Sequence, residues 1–228
     1  MKKKIQFILN KPQLSENIGM SIRSIGCFGF DQLDLVNPRN IWPNDKGVKS
    51  AKHFEKIAQK VKIFPTIPDA IKKSDIVIAT TVRSRGIQIP FIKLEDISKI
   101  KSKNISIIFG QENNGLNNQE ISYANYILTL PTYNHSSLNL SHAVSIVAFH
   151  ISQLSSKHNK KFENIPIKPA QIEKFVEFMM MILKKKGFTT IPSKTQNLEI
   201  SFRNFLKTNK IDEKMLKTAF GIMKFITK

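Results

Sequence analysis

Through the first two thirds of the chain, short apolar runs rich in β-branched residues alternate with helical patterns. The runs fall at 5–9, 33–36, 61–64, 76–79, 105–109 and 127–130, with candidate helices at 18–27, 51–59, 68–73 and 117–123 between them. The runs are nearly continuous: 76–79 is apolar throughout and each of the others holds a single polar residue. A strand of that kind has to bury both of its faces, so helices must lie above and below it. Strand–helix alternation then predicts an α/β fold built on a mostly parallel sheet with helices on both faces. A longer apolar helix is expected from 138 to 154.

Composition changes after that helix. Residues 155–169, SSKHNKKFENIPIKP, are polar and proline-bounded and read as a linker. Beyond them Ile172, Phe175, Met179, Ile182 and Leu183 recur at helical spacing, as do Met215, Leu216, Ala219, Ile222, Met223 and Ile226. The expected organisation is therefore an α/β domain over 1–154, a linker over 155–169 and a small helical extension of two or three helices over 170–228. The chain of 228 residues carries 36 Lys and Arg against 17 Asp and Glu, a formal net charge of +19. Residues 156–228 hold 16 of the basic and 6 of the acidic side chains, which makes the extension about twice as basic per residue. Such an excess suits a polyanionic partner. Lysine-favouring codons are the competing explanation, so charge alone does not establish a nucleic-acid ligand.

Several classes are disfavoured. No run approaches the ~20 apolar residues of a membrane span. The start, MKKKIQFILN, reads as a first strand and not as a secretion signal. A single cysteine, Cys27, permits no disulfide framework, and the five histidines show no zinc spacing, so no metal is expected. Neither G-x-G-x-x-G nor a Walker motif is present. A cytoplasmic location without membrane contact is the expectation.

Three segments put glycine or small polar residues at the end of a predicted strand, where ligands bind in open α/β sheets. In the first, NKPQLSENIGMSIRSIGCFGF, Asn17 is a plausible helix cap and Arg23 follows about two turns in. In the second, IIFGQENNGL, Gly110 directly follows a buried strand, Glu112 comes two residues later, and Asn113, Asn114 and Gly115 permit a tight turn with positive φ. In the third, a strand ends at Leu130 and Pro131, a loop leads to Ser136 and Ser137, and an apolar helix carries Asn139 and Ser141 near its start. Each segment alone has an ordinary structural reading: a capped helix, a strand-to-helix turn, a serine-capped core helix.

Taken together, in this order and spacing, Asn17-Ile18-Gly19 with Arg23, Phe109-Gly110-x-Glu112-x-x-Gly115-Leu116, and Leu130-Pro131 with Ser137-Leu138-Asn139-Leu140-Ser141 resemble the three motifs of the SPOUT-class (SpoU/TrmH) RNA 2'-O-methyltransferases. Leu35-Val36-Asn37-Pro38 and Ala79-Thr80-Thr81-Val82-Arg83-Ser84-Arg85 are similar to the TrmJ branch. The resemblance covers residues 4–154 well and the extension only in general pattern. Ser21 and Ser24 stand where small alanines are common in the family.

The resemblance implies a trefoil knot late in the α/β domain and S-adenosylmethionine (AdoMet) as methyl donor. Donor-binding positions are then Thr80, Thr81, Val82, Gly110, Leu130, Ser136, Ser137 and Leu138, with Gly110 letting backbone approach the adenosine. It implies catalytic positions at Arg23, Asn17, Glu112, Ser137 and Asn139, with Asn17, Glu112 and Asn139 orienting Arg23 and the ribose. An arginine is effectively always protonated, so Arg23 is expected to stabilise the developing ribose alkoxide and not to act as a simple base. A homodimer through the knot region is implied, for which the 138–154 helix suits, with Arg23 able to act on donor held by the partner. The implied substrate is tRNA at nucleotide 32 of the anticodon loop. The alternatives are a ribosomal RNA 2'-O-methyltransferase of the same fold and a catalytically silent RNA-binding protein.

Overall fold

The computed structural model describes residues 3–81, 88–133, 137–154, 167–188, 192–208 and 211–227. Seven parallel strands form one sheet in the order β3-β2-β1-β6-β4-β7-β5. They are β1 (Lys4–Asn10), β2 (Leu33–Val36), β3 (Ile63–Phe64), β4 (Ile76–Thr80), β5 (Phe91–Ile92), β6 (Asn104–Phe109) and β7 (Tyr126–Leu128). The six expected strands are present. The two-residue edge strand β5 was not expected, and its brevity leaves too few residues to carry a pattern.

Helices cover both faces, as the continuous apolar strands require. Phe7, Leu9, Ile76, Ile78, Ile105, Ile107 and Phe109 pack on one face beneath α1 (Ser15–Cys27) and α6 (Leu140–Leu154). Their neighbours Ile8, Val77, Ala79 and Ile108 point the other way, beneath α4 (Ile67–Ile71) and α5 (Asn118–Ser122). Strand side chains alternate between faces, so one strand feeds both cores.

Two expectations on helices need correction. Of the helix expected over 51–59 only α3 (Glu55–Ala58) forms, and α2 (Asp45–Ser50), which was not expected, precedes it. Asn44 accepts the Gly47 N–H and starts α2 early, while His53, at φ 74°, turns the chain between the two helices. Helix α1 begins at Ser15, so Asn17 lies inside it, 2% exposed, and is not its cap. Leu14 holds the N-cap position and offers no side-chain hydrogen bond. The cap comes instead from a distant segment, described below.

The extension forms three helices, α7 (Pro169–Lys185), α8 (Pro192–Thr208) and α9 (Glu213–Ile226), around a core of Ile167, Ile172, Phe175, Val176, Leu206 and Leu216. The expected linker residues 155–166 lie outside the described residues. The extension meets the α4–α5 side of the sheet. Arg203, buried on α8, pairs with Glu173 at 2.9 Å and Glu199 at 3.5 Å and sets its guanidinium 4.6 Å from the centre of the Tyr123 ring. Lys207 donates to the Ser122 carbonyl, and Lys168 lies 3.5 Å from Asp75.

Candidate active site

Strand β4 pairs with both β6 and β7, so the carboxyl ends of three strands stand side by side. A cavity of about 210 Å³ opens there. Of the residues expected to bind the donor, Thr80, Thr81, Gly110, Leu130, Ser137 and Leu138 all line it, as does Glu112. Val82 and Ser136 lie outside the described residues.

The loop after β6 closes tightly on itself. Gly115 donates its N–H to the Gln111 carbonyl at 2.9 Å and takes φ 64°, the positive φ anticipated in this turn, whereas Asn113 and Asn114 do not. A Cβ on Gly110 would meet the Gly115 carbonyl carbon at 2.3 Å and the Leu116 nitrogen at 2.4 Å. Glycine is therefore required there first by the return of its own loop, and not only by the approach of a ligand.

That turn aims Glu112 at the start of α1. Its carboxylate accepts the N–H of Gln13 at 2.9 Å, the N–H of Leu14 at 3.3 Å and the Asn17 side-chain amide at 2.8 Å. An anion at a helix N-terminus satisfies free N–H groups and complements the dipole. Glu112 thus supplies the cap that α1 lacks locally. The Asn17 oxygen in turn accepts the Asn139 amide at 3.1 Å, and the Asn139 oxygen accepts both the N–H (2.9 Å) and the hydroxyl (2.7 Å) of Ser141. Asn139, not a serine, therefore caps α6. Ser137 is exposed at the cavity, and its hydroxyl lies 3.5 Å from the Leu138 carbonyl.

Glu112, Asn17 and Asn139 thus form one line of hydrogen bonds that joins the three motif segments. Arg23 stands apart. It is exposed on α1, does not line the cavity, and is hydrogen-bonded by none of these three. Its helix packs against α6, and both helices expose apolar side chains. Met20, one turn before it, is 39% exposed, and Ile146 and Phe149 on α6 are 41% and 50% exposed. Ser24 and Ser145 meet at 2.6 Å and pin the two helices together beside it. The sequence reading named Ser141 and Ser24 without giving either a contact, and it missed Ser145. The Asn-x-Ser spacing at the head of α6 was the available sign for Ser141; a contact across 121 positions leaves no local sign.

Comparison with known proteins agrees with this architecture. A model of the SpoU rRNA Methylase family matches residues 4–149, and the chain belongs to that family. Within it the chain is TrmJ-like. It is 33% identical over 189 residues, 77% of this chain and 81% of the other, to a tRNA (cytidine-2'-O-)-methyltransferase TrmJ of Methanocaldococcus jannaschii. The crystal structure of TrmJ from Z. mobilis ZM4 superposes with a TM-score of 0.86 at 30% identity, covering 98% of this chain and 99% of that one. The fold is also that of the SpoU methyltransferase AviRb from Streptomyces viridochromogenes, solved in complex with the cofactor AdoMet (TM-score 0.55, 16% identity, 70% and 61% of the chains). Among the described residues no helix is long and apolar enough to cross a membrane, and no cluster of His, Cys, Asp and Glu could hold a metal ion.

Proposed function

We propose that this chain is an AdoMet-dependent tRNA 2'-O-ribose methyltransferase that works as a homodimer in the cytoplasm and modifies nucleotide 32 of the anticodon loop. Residues 1–154 carry the reaction, with the chain knotted as in its family, and residues 170–228 add RNA affinity. The observation that carries the reading is the Glu112–Asn17–Asn139 line, which couples the cavity loop to the helix bearing Arg23.

The cavity suits the donor. Leu128, Leu130 and Leu138 offer apolar walls to an adenine ring, and the strand ends at Thr80, Thr81 and Gly110 offer backbone groups for its polar edges. When bound, AdoMet supplies an electrophilic methyl group on a sulfonium centre. The protein's task is then to hold the ribose and ease the loss of its 2'-hydroxyl proton. Arg23 serves as a fixed positive charge against the developing alkoxide, and the proton leaves to a phosphate or to water. Glu112 has its oxygens committed to Gln13, Leu14 and Asn17, so it acts as a positioning residue for α1. Arg23 lies outside the cavity of its own chain, on a helix that packs against α6, and the two helices expose Met20, Ile146 and Phe149. This favours an arrangement in which a second subunit covers that face and Arg23 serves the partner's donor.

Incubation with labelled AdoMet and, separately, unfractionated tRNA and ribosomal RNA tests the reading. Methyl transfer to the tRNA, mapped to the ribose of nucleotide 32, is expected. Transfer to ribosomal RNA alone overturns the substrate, and a product at another tRNA position overturns the site. The family's description as rRNA methylases makes ribosomal RNA the second reading.

A further inference from the structure

The surface around Arg23 is not uniform. Helix α1 runs between α6 on one side and α2 on the other. The α6 contact is fixed by Ser24 and Ser145. The α2 contact is closer still, since a Cβ on Gly19 would fall 2.0 Å from the Gly47 carbonyl oxygen and 2.7 Å from the Ser50 Cβ. The two flanks differ sharply in chemistry. Helix α6, LSHAVSIVAFHISQL, has no Asp, Glu, Lys or Arg, and it exposes Ile146 and Phe149. On the other flank, residues 45–62 carry six lysines against two acids, Asp45 and Glu55.

The lysines of α2 point outward for a definite reason. Val48 packs against the core and Gly47 faces α1. At 3.6 residues per turn, Lys46 stands roughly 160° round the helix from Val48. Lys46, Lys49 and Lys52 are all exposed, and among the described residues none of them makes an ion pair. Glu55 uses its carboxylate on the His53 N–H and neutralises none of them.

We infer that α2 and the turn after it form a phosphate-binding strip, in which Lys46, Lys49 and Lys52 grip the RNA backbone beside the ribose that Arg23 faces. The inference rests on the RNA methyltransferase reading above. A ribose presented to Arg23 carries a phosphate on either side. The α6 flank carries no Lys or Arg and exposes Ile146 and Phe149, which suits protein contact, whereas the lysines lie on the α2 flank, so the RNA strand leaves the site over α2. Lysine is a point charge without a planar fork, which fits backbone gripping without sequence preference.

Two double variants of the full-length protein, matched in charge, test this. Lys46→Gln with Lys49→Gln removes two charges from the strip. Lys72→Gln with Lys73→Gln removes two exposed charges just after α4, on the opposite side of the sheet. Affinity for unfractionated tRNA is measured across a salt series. The strip variant is expected to lower the log–log salt slope by about one for each lost phosphate contact, about two in all, and to weaken binding at every salt concentration. The Lys72/Lys73 variant is expected to match the wild type. Equal losses in both variants, or none in either while the wild type binds, overturn the strip alone and leave the lysines as general surface charge. A wild type that binds no RNA overturns both the strip and the functional reading beneath it.

Discussion

Asn17 and Glu112, separated by 95 positions in the chain, meet at 2.8 Å and hold the turn after β6 against the first helix. The same carboxylate takes two backbone N–H groups at the start of that helix. One side chain therefore fixes both the cavity loop and the direction of α1.

Glu112→Gln replaces that anion with a neutral amide whose NH2 group must face donors. Stability is expected to fall by about 1–2 kcal/mol, less than at a buried charge because Glu112 is half-buried and water replaces part of the lost contact, as read from urea unfolding. Single-turnover methyl transfer is expected to slow as α1 loses its anchor. Unchanged stability and rate together would show that the contact positions nothing.

Arg23→Ala is expected to cut turnover on the order of 10²–10³-fold with little change in AdoMet affinity by calorimetry, because Arg23 does not line the cavity. Arg23→Lys restores only part of the rate, since a point charge does not reproduce the planar group. Mixing Arg23→Ala subunits with Gly110→Val subunits gives a sharper test. Partial recovery is expected if the arginine serves the partner's donor; no recovery means that it serves its own.

Gly110 and Gly115 are expected to respond to alanine in different ways. At Gly110 the added Cβ runs into the backbone of Gly115 and Leu116, so the loop must shift and AdoMet affinity falls steeply. At Gly115 nothing lies within 4 Å of the added Cβ, and the cost is only that of a side chain at φ 64°. That cost is roughly 1–2 kcal/mol. Calorimetric titration and thermal melting of the two variants separate a steric effect from a conformational one.

Burial pushes the Lys207 ammonium down to about 7; the Glu173 charge opposes this and the Arg203 charge adds to it. In the unfolded chain the group returns to its ordinary value of 10.5. Between those values the unfolded chain binds a proton that the folded chain does not, so this residue's contribution to stability rises as pH climbs from about 7 to about 10.5. Below about 7 its burial penalty is fully present. Lys207→Met removes the titration. The melting temperature of the wild type is expected to gain on that of the variant as pH rises through this window, and a constant difference would contradict it.

The sheet was legible because a doubly covered parallel strand is apolar along its length, as at 105–109. The turn at 110–116 was legible because glycine marks both a tight return and a positive φ. What escaped was tertiary in origin. Asn17 was taken for a cap because caps are usually local, whereas the real cap of α1 is Glu112, far along the chain. The break at His53 escaped because no glycine or proline marks it. The Ser24–Ser145 pin escaped because hydroxyls on two separate helices carry no shared pattern.

Gly19 and Gly47 let two helix backbones pass almost in contact. Their closeness works as a ruler. The distance between a sugar and its flanking phosphates is set by the covalent geometry of the nucleic acid, and the distance between the Arg23 helix and the lysine helix is set by the side chain that Gly19 lacks. A methyl group added there would lengthen one measure without changing the other.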